Sequence, residues 1–199
     1  MKGFAAALFF MTIALGLAAV LGPLRRSRRS LQAMVVAAST VGGRLLPTAG
    51  PWYRRSRAVL DADIDGIPIR FSFAATTNEG RTSLCSRATT LSGVRLSLES
   101  GRRTRIARVA ALLGLNVSTT GDAAYDEIFA VRADDRTSAR RVLSPLVRKL
   151  HLACADARLE IAPGRVLVER PGDTVAPATI SLMMRLCAAL AAAARTSSA

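Results

Sequence analysis

Four side chains stand out as candidates for chemistry: Asp122, Asp126, Glu127 and His151. The three carboxylates fall within six residues, and carboxylate oxygens are the natural ligands of Ca²⁺ and Mg²⁺. A Ca²⁺ loop gathers about six to eight oxygens, however, and three carboxylates fall short of that count. Capping and solvation explain them more simply. His151 is the single histidine. A histidine base needs groups that position it, no such pairing is evident from the sequence, and a structural or surface role is the reading. The cysteines, Cys85, Cys154 and Cys187, are odd in number and widely spaced. They imply neither a disulfide framework nor a C-x-x-C site, and are expected to be buried free thiols in a reducing compartment. The sequence thus assigns no catalytic residue, no metal ligand and no cofactor.

Charge is the other chemical resource. The net charge is +14, with 28 basic residues, a balance that points to an anionic neighbour such as phospholipid or nucleic acid. Lys2 and Lys149 are the only lysines; the remainder are arginines. Arginine preference with abundant alanine marks a GC-rich bacterial genome, so part of the excess reflects codon usage. Arg102, Arg103, Arg105 and Arg108 form a basic cluster that could meet phosphates. The commoner role of such a cluster is a solvated helix face, no nucleic-acid motif accompanies it, and nucleic acid is therefore disfavoured as a partner.

The elements that must position these groups begin with an apolar segment. Gly3 to Gly22 carries no charge and one polar residue, Thr12. As a helix it spans roughly 30 Å, the hydrocarbon thickness of a bilayer. It exceeds the roughly 7–15 apolar residues of a signal peptide, and a retained anchor is preferred over a cleaved one. Pro23 ends the run. Arg25, Arg26, Arg28 and Arg29 follow, as candidate contacts to anionic lipid. Positive charge stays on the cytoplasmic side, which predicts a bacterial inner-membrane protein with its soluble domain in the cytoplasm; a periplasmic domain is the alternative. Leu31 to Gly43 is apolar but short, closed by Arg44, and reads as a juxtamembrane helix or stalk, a second span being the minor alternative. Leu46 to Pro51 reads as a linker. Trp52 and Tyr53 beside Arg54, Arg55 and Arg57 suit either an interfacial patch or an ordinary domain edge. The expected layout is an anchor over residues 1–24, a basic juxtamembrane segment and linker over 25–57, and a soluble domain over 58–199.

Within that domain the patterns are those of an α+β fold. Val59–Asp63 and the alternating Ile67, Ile69, Phe71 and Phe73 flank Asp65-Gly66, a hairpin turn pair. Weaker strands are predicted over Thr82–Ala88 and Val94–Leu98, giving an antiparallel meander. Ile106, Val109, Ala110 and Leu113 have helical spacing. Asp122 is placed to cap a short helix, Tyr125 and Phe129 to face the core, and Phe129 and Val131 to start a strand. Asp135 opens another helix with the stripe Val142, Leu143, Leu146, Val147 and Leu150, interrupted by Ser144-Pro145 as a new cap and first turn. Leu159, Ile161, Val166 and Val168 flank the Pro163-Gly164 turn. A last apolar helix, about Ala178–Ala194, contains Arg185 and reads as packed over the sheet. In all, an N-terminal transmembrane helix, an antiparallel sheet of about five to seven strands and three or four packing helices are expected.

Thr120, Gly121, Asp122, Tyr125, Asp126, Phe129 and Val131, followed by Leu143, Ser144 and Pro145, resemble the shared block of an uncharacterised family of bacterial membrane-anchored domains of unknown function. The block reads T-G-D-x-x-aromatic-D-x-x-F-x-V, then a helix opening with L-S/T-P; Tyr125 stands where Phe is usual. The resemblance covers the C-terminal half. It implies an anchor plus one α+β domain and no activity, substrate or cofactor. Gly121, Asp122, Tyr125, Asp126, Phe129 and Pro145 look like fold determinants in it: a turn, caps and buried aromatics. The function expected is a non-enzymatic, membrane-anchored interaction or scaffold protein, with the lipid bilayer and a protein as partners. A membrane-tethered enzyme and an exported envelope protein are the alternatives.

Overall fold

A computed structural model describes residues 28–47, 58–78, 81–91, 93, 96–102, 119–172 and 175–197. The Asp65-Gly66 pair makes the turn its composition demands. Both residues have positive φ, 54° and 76°, the backbone of the tight hairpin turn whose twist matches that of paired strands. Ile64 and Ile67 pair directly across it, and the Asp63 carboxylate accepts the Gly66 N–H at 2.8 Å. From this hairpin the alternation of Leu60 and Ala62 on one strand, and of Ile67, Ile69 and Phe71 on the other, sends the apolar side chains to one buried face.

The described elements are helix α1 (residues 28–41), strands β1 (Arg44–Leu46), β2 (Val59–Ile64), β3 (Ile67–Asn78), β4 (Arg81–Leu91) and β5 (Leu98–Arg102), helix α2 (Ala123–Ile128), strand β6 (Phe129–Ala133), helices α3 (Arg136–Val142) and α4 (Pro145–Ala153), strands β7 (Arg158–Ala162) and β8 (Arg165–Pro171), and helix α5 (Pro177–Thr196). The eight strands form one antiparallel sheet in the order β1-β2-β3-β4-β8-β7-β5-β6. The class is α+β, as the sequence implies. Among the described residues there are eight strands and five helices, more than the five to seven strands and three or four helices expected.

α5 lies across β3, β4 and β8 and also meets α3 and α4. That explains why it is apolar nearly all round: Ile180, Met183, Met184, Leu186, Cys187, Leu190 and Ala194 are buried. Each such large side chain removed from water contributes about 1.5–3 kcal/mol. At 20 residues and a mean hydropathy of 1.5, α5 is long and apolar enough to cross a membrane by length and composition, but 56% of that stretch is buried inside the fold. Arg185 is on its exposed side.

Two expectations about the N-terminal part of the domain are sharpened. Of helix and stalk for Leu31 to Gly43, the helix holds: residues 31–41 lie in α1, whose inner stripe of Ser30, Ala33, Met34 and Ala37 is buried, the last three in the common core. Leu46 is not linker but the end of β1, which pairs with β2 through Arg44↔Asp61 and Leu46↔Val59. Among the described residues, 30–46 therefore pack with the domain expected over 58–199. Gly43 makes this possible: a Cβ there would sit 2.7 Å from Leu60 Cδ1 and 2.9 Å from the Asp61 carbonyl oxygen. The turn out of α1 thus passes closer to β2 than any side chain permits.

The strand expected over Val94–Leu98 begins only at Leu98; residues 96 and 97 are not in a strand. Leu98 and Ser100 then face inward. Of the stripe spanning α3 and α4, Val142, Leu143 and Val147 are buried, but Leu146 is 60% exposed. Pro145 restarts the helix after the break at Leu143 and Ser144, so one helical period does not run through both halves. The N-terminal apolar segment with Arg25 and Arg26, the Trp52-Tyr53 patch, and the Ile106–Leu113 helix with Arg103, Arg105 and Arg108 lie outside the described residues.

Candidate functional site

Gly121, at φ 86°, turns the chain into α2, and two carboxylates then fix the turn from different directions. Asp122 is the N-cap of α2: its side chain accepts the Tyr125 N–H at 3.2 Å, satisfying one of the free amides of the first turn. Its other oxygen lies 3.1 Å from Arg148 Nε on α4, an ion pair without hydrogen-bond alignment. Asp126 reaches back instead. It accepts from the Thr120 N–H at 2.9 Å, the Thr120 hydroxyl at 2.9 Å and the Gly121 N–H at 3.2 Å. Glu127 is exposed. The three carboxylates of the sequence therefore do not converge, and among the described residues no group of three or more His, Cys, Asp or Glu is placed to hold a metal ion. The hydrogen bonds to Asp126 are charge-assisted, so Asp126→Ala is expected to destabilise the domain by roughly 1.5–3 kcal/mol, with Asp126→Asn intermediate, read as shifts in a denaturant midpoint. A neutral alanine variant would show the clamp to be dispensable.

α2 delivers Tyr125 to the interior, where it joins a buried polar chain. The Tyr125 hydroxyl is 2.9 Å from Ser100 Oγ on β5 and 2.7 Å from His151 Nδ1 on α4. His151 Nε2 lies 2.9 Å from the Ala157 carbonyl oxygen. A carbonyl only accepts, so Nε2 carries the proton of the neutral ring and Nδ1 is left as an acceptor. The Tyr125 O–H then donates to Nδ1, and Ser100 donates to the Tyr125 oxygen. Phe129 stacks on the imidazole at 3.8 Å and 22°. Burial pushes the Tyr125 phenol pKa up and pulls His151 down to about 4, against a smaller upward pull from the Ala157 carbonyl. The group is thus a neutral histidine with both nitrogens committed and no exposed surface. It holds α2, β5 and α4 together and has no nitrogen left for a substrate. Sequence reasoning placed Tyr125 and Phe129 in the core but missed Ser100 and the burial of His151. The signal was present: His151 is four residues after Val147, on the same inward stripe of α4.

The remaining candidates lie apart from this cluster. Arg28 and Arg29 are exposed on α1. Arg102 closes β5 with Nη1 3.2 Å from Asp156 Oδ1, and Arg170 approaches the other oxygen at 3.6 Å. Arg70 grips Asp61 with two bonds of 2.9 and 2.8 Å, and Arg158 meets Glu99 at 3.3 Å. Much of the sheet's arginine is thus paired with carboxylate on neighbouring elements. Pro145 opens α4 behind the Ser144 cap, whose hydroxyl accepts the Val147 N–H at 3.4 Å. Cys85, Cys154 and Cys187 are buried and form no disulfide with one another. An open groove of ≈ 940 Å³ runs between α5, α4 and the β2–β3 hairpin; Leu146, Arg141 and Arg185 line it, while Asp122, Asp126 and His151 do not.

This arrangement is that of an α+β domain whose chemically capable residues are built into its framework. No family model matches the chain, and no curated protein matches it. Its fold is similar to the crystal structure of the mycobacterial trehalose monomycolate transport factor A, TtfA, with a TM-score of 0.53 and 14% identity over 84% of this chain and 94% of that one. At that identity the likeness shows a shared fold.

Proposed function

We propose that this chain is a non-enzymatic, membrane-anchored interaction protein of a bacterial cell envelope, acting as an accessory factor to a transport assembly. The observation that carries the proposal is the fold shared with the mycobacterial trehalose monomycolate transport factor A, over 84% of this chain. The interior supports the non-catalytic reading, since Asp122, Asp126 and His151 serve capping, loop closure and the buried polar chain. The apolar run of residues 3–22 supplies the anchor, and Arg25, Arg26, Arg28 and Arg29 its contacts to anionic lipid, adding about 1 kcal/mol each near the surface. The soluble domain faces the cytoplasm by the positive-inside rule, where it meets a protein partner. The family block from Thr120 to Pro145 belongs to the same reading, as a set of fold determinants for a domain of this kind.

Protease protection of a C-terminally tagged chain tests it, in intact cells and in inverted membranes, with the mass of the mature chain taken from the same preparation. A full-length chain shielded in cells and digested in inverted membranes is expected. Digestion once only the outer barrier is opened would place the domain on the other side. A chain short by about twenty residues would mean a cleaved leader and no anchor.

A further inference from the structure

α1 is apolar on two sides, and the core accounts for one of them. Ala33, Met34 and Ala37 pack inward. On the outward side Leu31, Val35 and Val36 are 43%, 52% and 52% exposed, beside the exposed Arg28 and Arg29. Clustered apolar residues outside a helix's core-facing stripe, rimmed by polar ones, are the composition of a contact surface. Gln32, Ser39 and Thr40 are exposed on the same helix, so the apolar group is a patch flanked by polar and basic positions.

We infer that the outward face of α1 seats the folded domain on the anionic bilayer surface, with Leu31, Val35 and Val36 entering the interface and Arg28 and Arg29 meeting headgroup phosphates. The inference rests on the anchor reading of residues 3–22. Given that anchor, the chain geometry leaves little alternative position for α1. Six steps separate Gly22 from Arg28, and at roughly 3.5 Å per step they span at most about 20 Å. Arg28 is therefore held within that distance of the point where the chain leaves the bilayer. Charge agrees: a chain of net charge +14 presents two arginines at this face, and basic residues flanking an apolar helix face are the composition of interfacial helices. The domain would then lie on the membrane, oriented by α1, and not swing from a tether.

The full chain reconstituted in vesicles of neutral and anionic phospholipid gives the test. Single cysteines, Leu31→Cys, Val35→Cys and, as control, Leu91→Cys, carry an environment-sensitive fluorophore. Leu91 is 83% exposed at the end of β4. The native thiols are buried, and burial pushes that of Cys187 up to about 12, so labelling goes to the introduced site. The expected result is strong quenching of the Leu31 and Val35 labels by a lipid-borne quencher and shielding from an aqueous one, with the reverse for Leu91. If the chain floats with the vesicles while the Val35 label is quenched from water, the domain stands off the membrane; the seating is wrong and the anchor stands. If the chain does not float, the anchor and the seating both fail. If the shielding persists in detergent without lipid and is lost on dilution, a second copy covers the face and the bilayer does not.

Discussion

Tyr125→Ala is expected to lower the stability of the domain by about 3–5 kcal/mol, the range for removing a large aromatic from a packed core. Tyr125 is fully buried, and its ring lies against Phe129 at a centroid distance of 4.8 Å. The substitution also strands two polar groups: Ser100 Oγ loses its acceptor and His151 Nδ1 its donor. Tyr125→Phe separates the two contributions. It keeps the ring and strips the hydroxyl, leaving two buried partners unsatisfied at a cost of about 1–3 kcal/mol. Adding Ser100→Ala to Tyr125→Phe should cost less than the sum of the single changes, because the serine has already lost its partner. Denaturant unfolding of the parent, the three single variants and the double variant reads all of this. A Tyr125→Phe domain as stable as the parent would mean that the hydroxyl is merely accommodated and that the polar chain contributes nothing.

The legible parts of this fold are those written in adjacent residues. Asp65-Gly66 and Pro163-Gly164 announce their turns, and Gly164 takes the positive φ expected of it, 81°. Asp122, Asp135 and Ser144 each cap the helix that follows, because a short oxygen-bearing side chain just before a helix has a free amide within reach. The strand order was not legible. The β7–β8 hairpin enters the sheet between β4 and β5, so that Ala88 pairs with Val168 and Leu98 with Ile161. Those pairings join residues 80 and 63 positions apart, and no local pattern encodes them. The packing of α1 against the sheet is hidden for a related reason. Its composition suits a membrane-side helix and a core helix equally, and the close approach at Gly43 that settles its place exists only once β2 is beside it. At the polar cluster the individual types were readable, but their meeting was not: Ser100, Tyr125 and His151 come from a strand and two helices. Buried tyrosine needs a hydroxyl partner, and that requirement gives a reason to look for one without saying where it stands.

His151 makes the domain acid-labile over a defined window. Burial holds its folded pKa at about 4, whereas in the unfolded chain it titrates near 6.5. Above that value both states carry a neutral ring, and the contribution of His151 is complete. As the pH falls below it, the unfolded chain takes up a proton that the folded protein refuses, and stability drops until the folded ring protonates near 4. The difference of about 2.5 pKa units corresponds to roughly 3 kcal/mol lost across the window. Protonation inside the fold would put a second N–H on the ring at Nδ1, opposite a hydroxyl that now donates to it, so the Ser100–Tyr125 chain would have to reverse its direction. Unfolding free energies measured at intervals from pH 7 to pH 4 should therefore fall for the parent. His151→Gln is expected to be less stable throughout, but with a shallower fall over the same interval, since its amide does not titrate. Parallel curves for the two proteins would assign the acid sensitivity to other groups, and the buried neutral imidazole would no longer account for it.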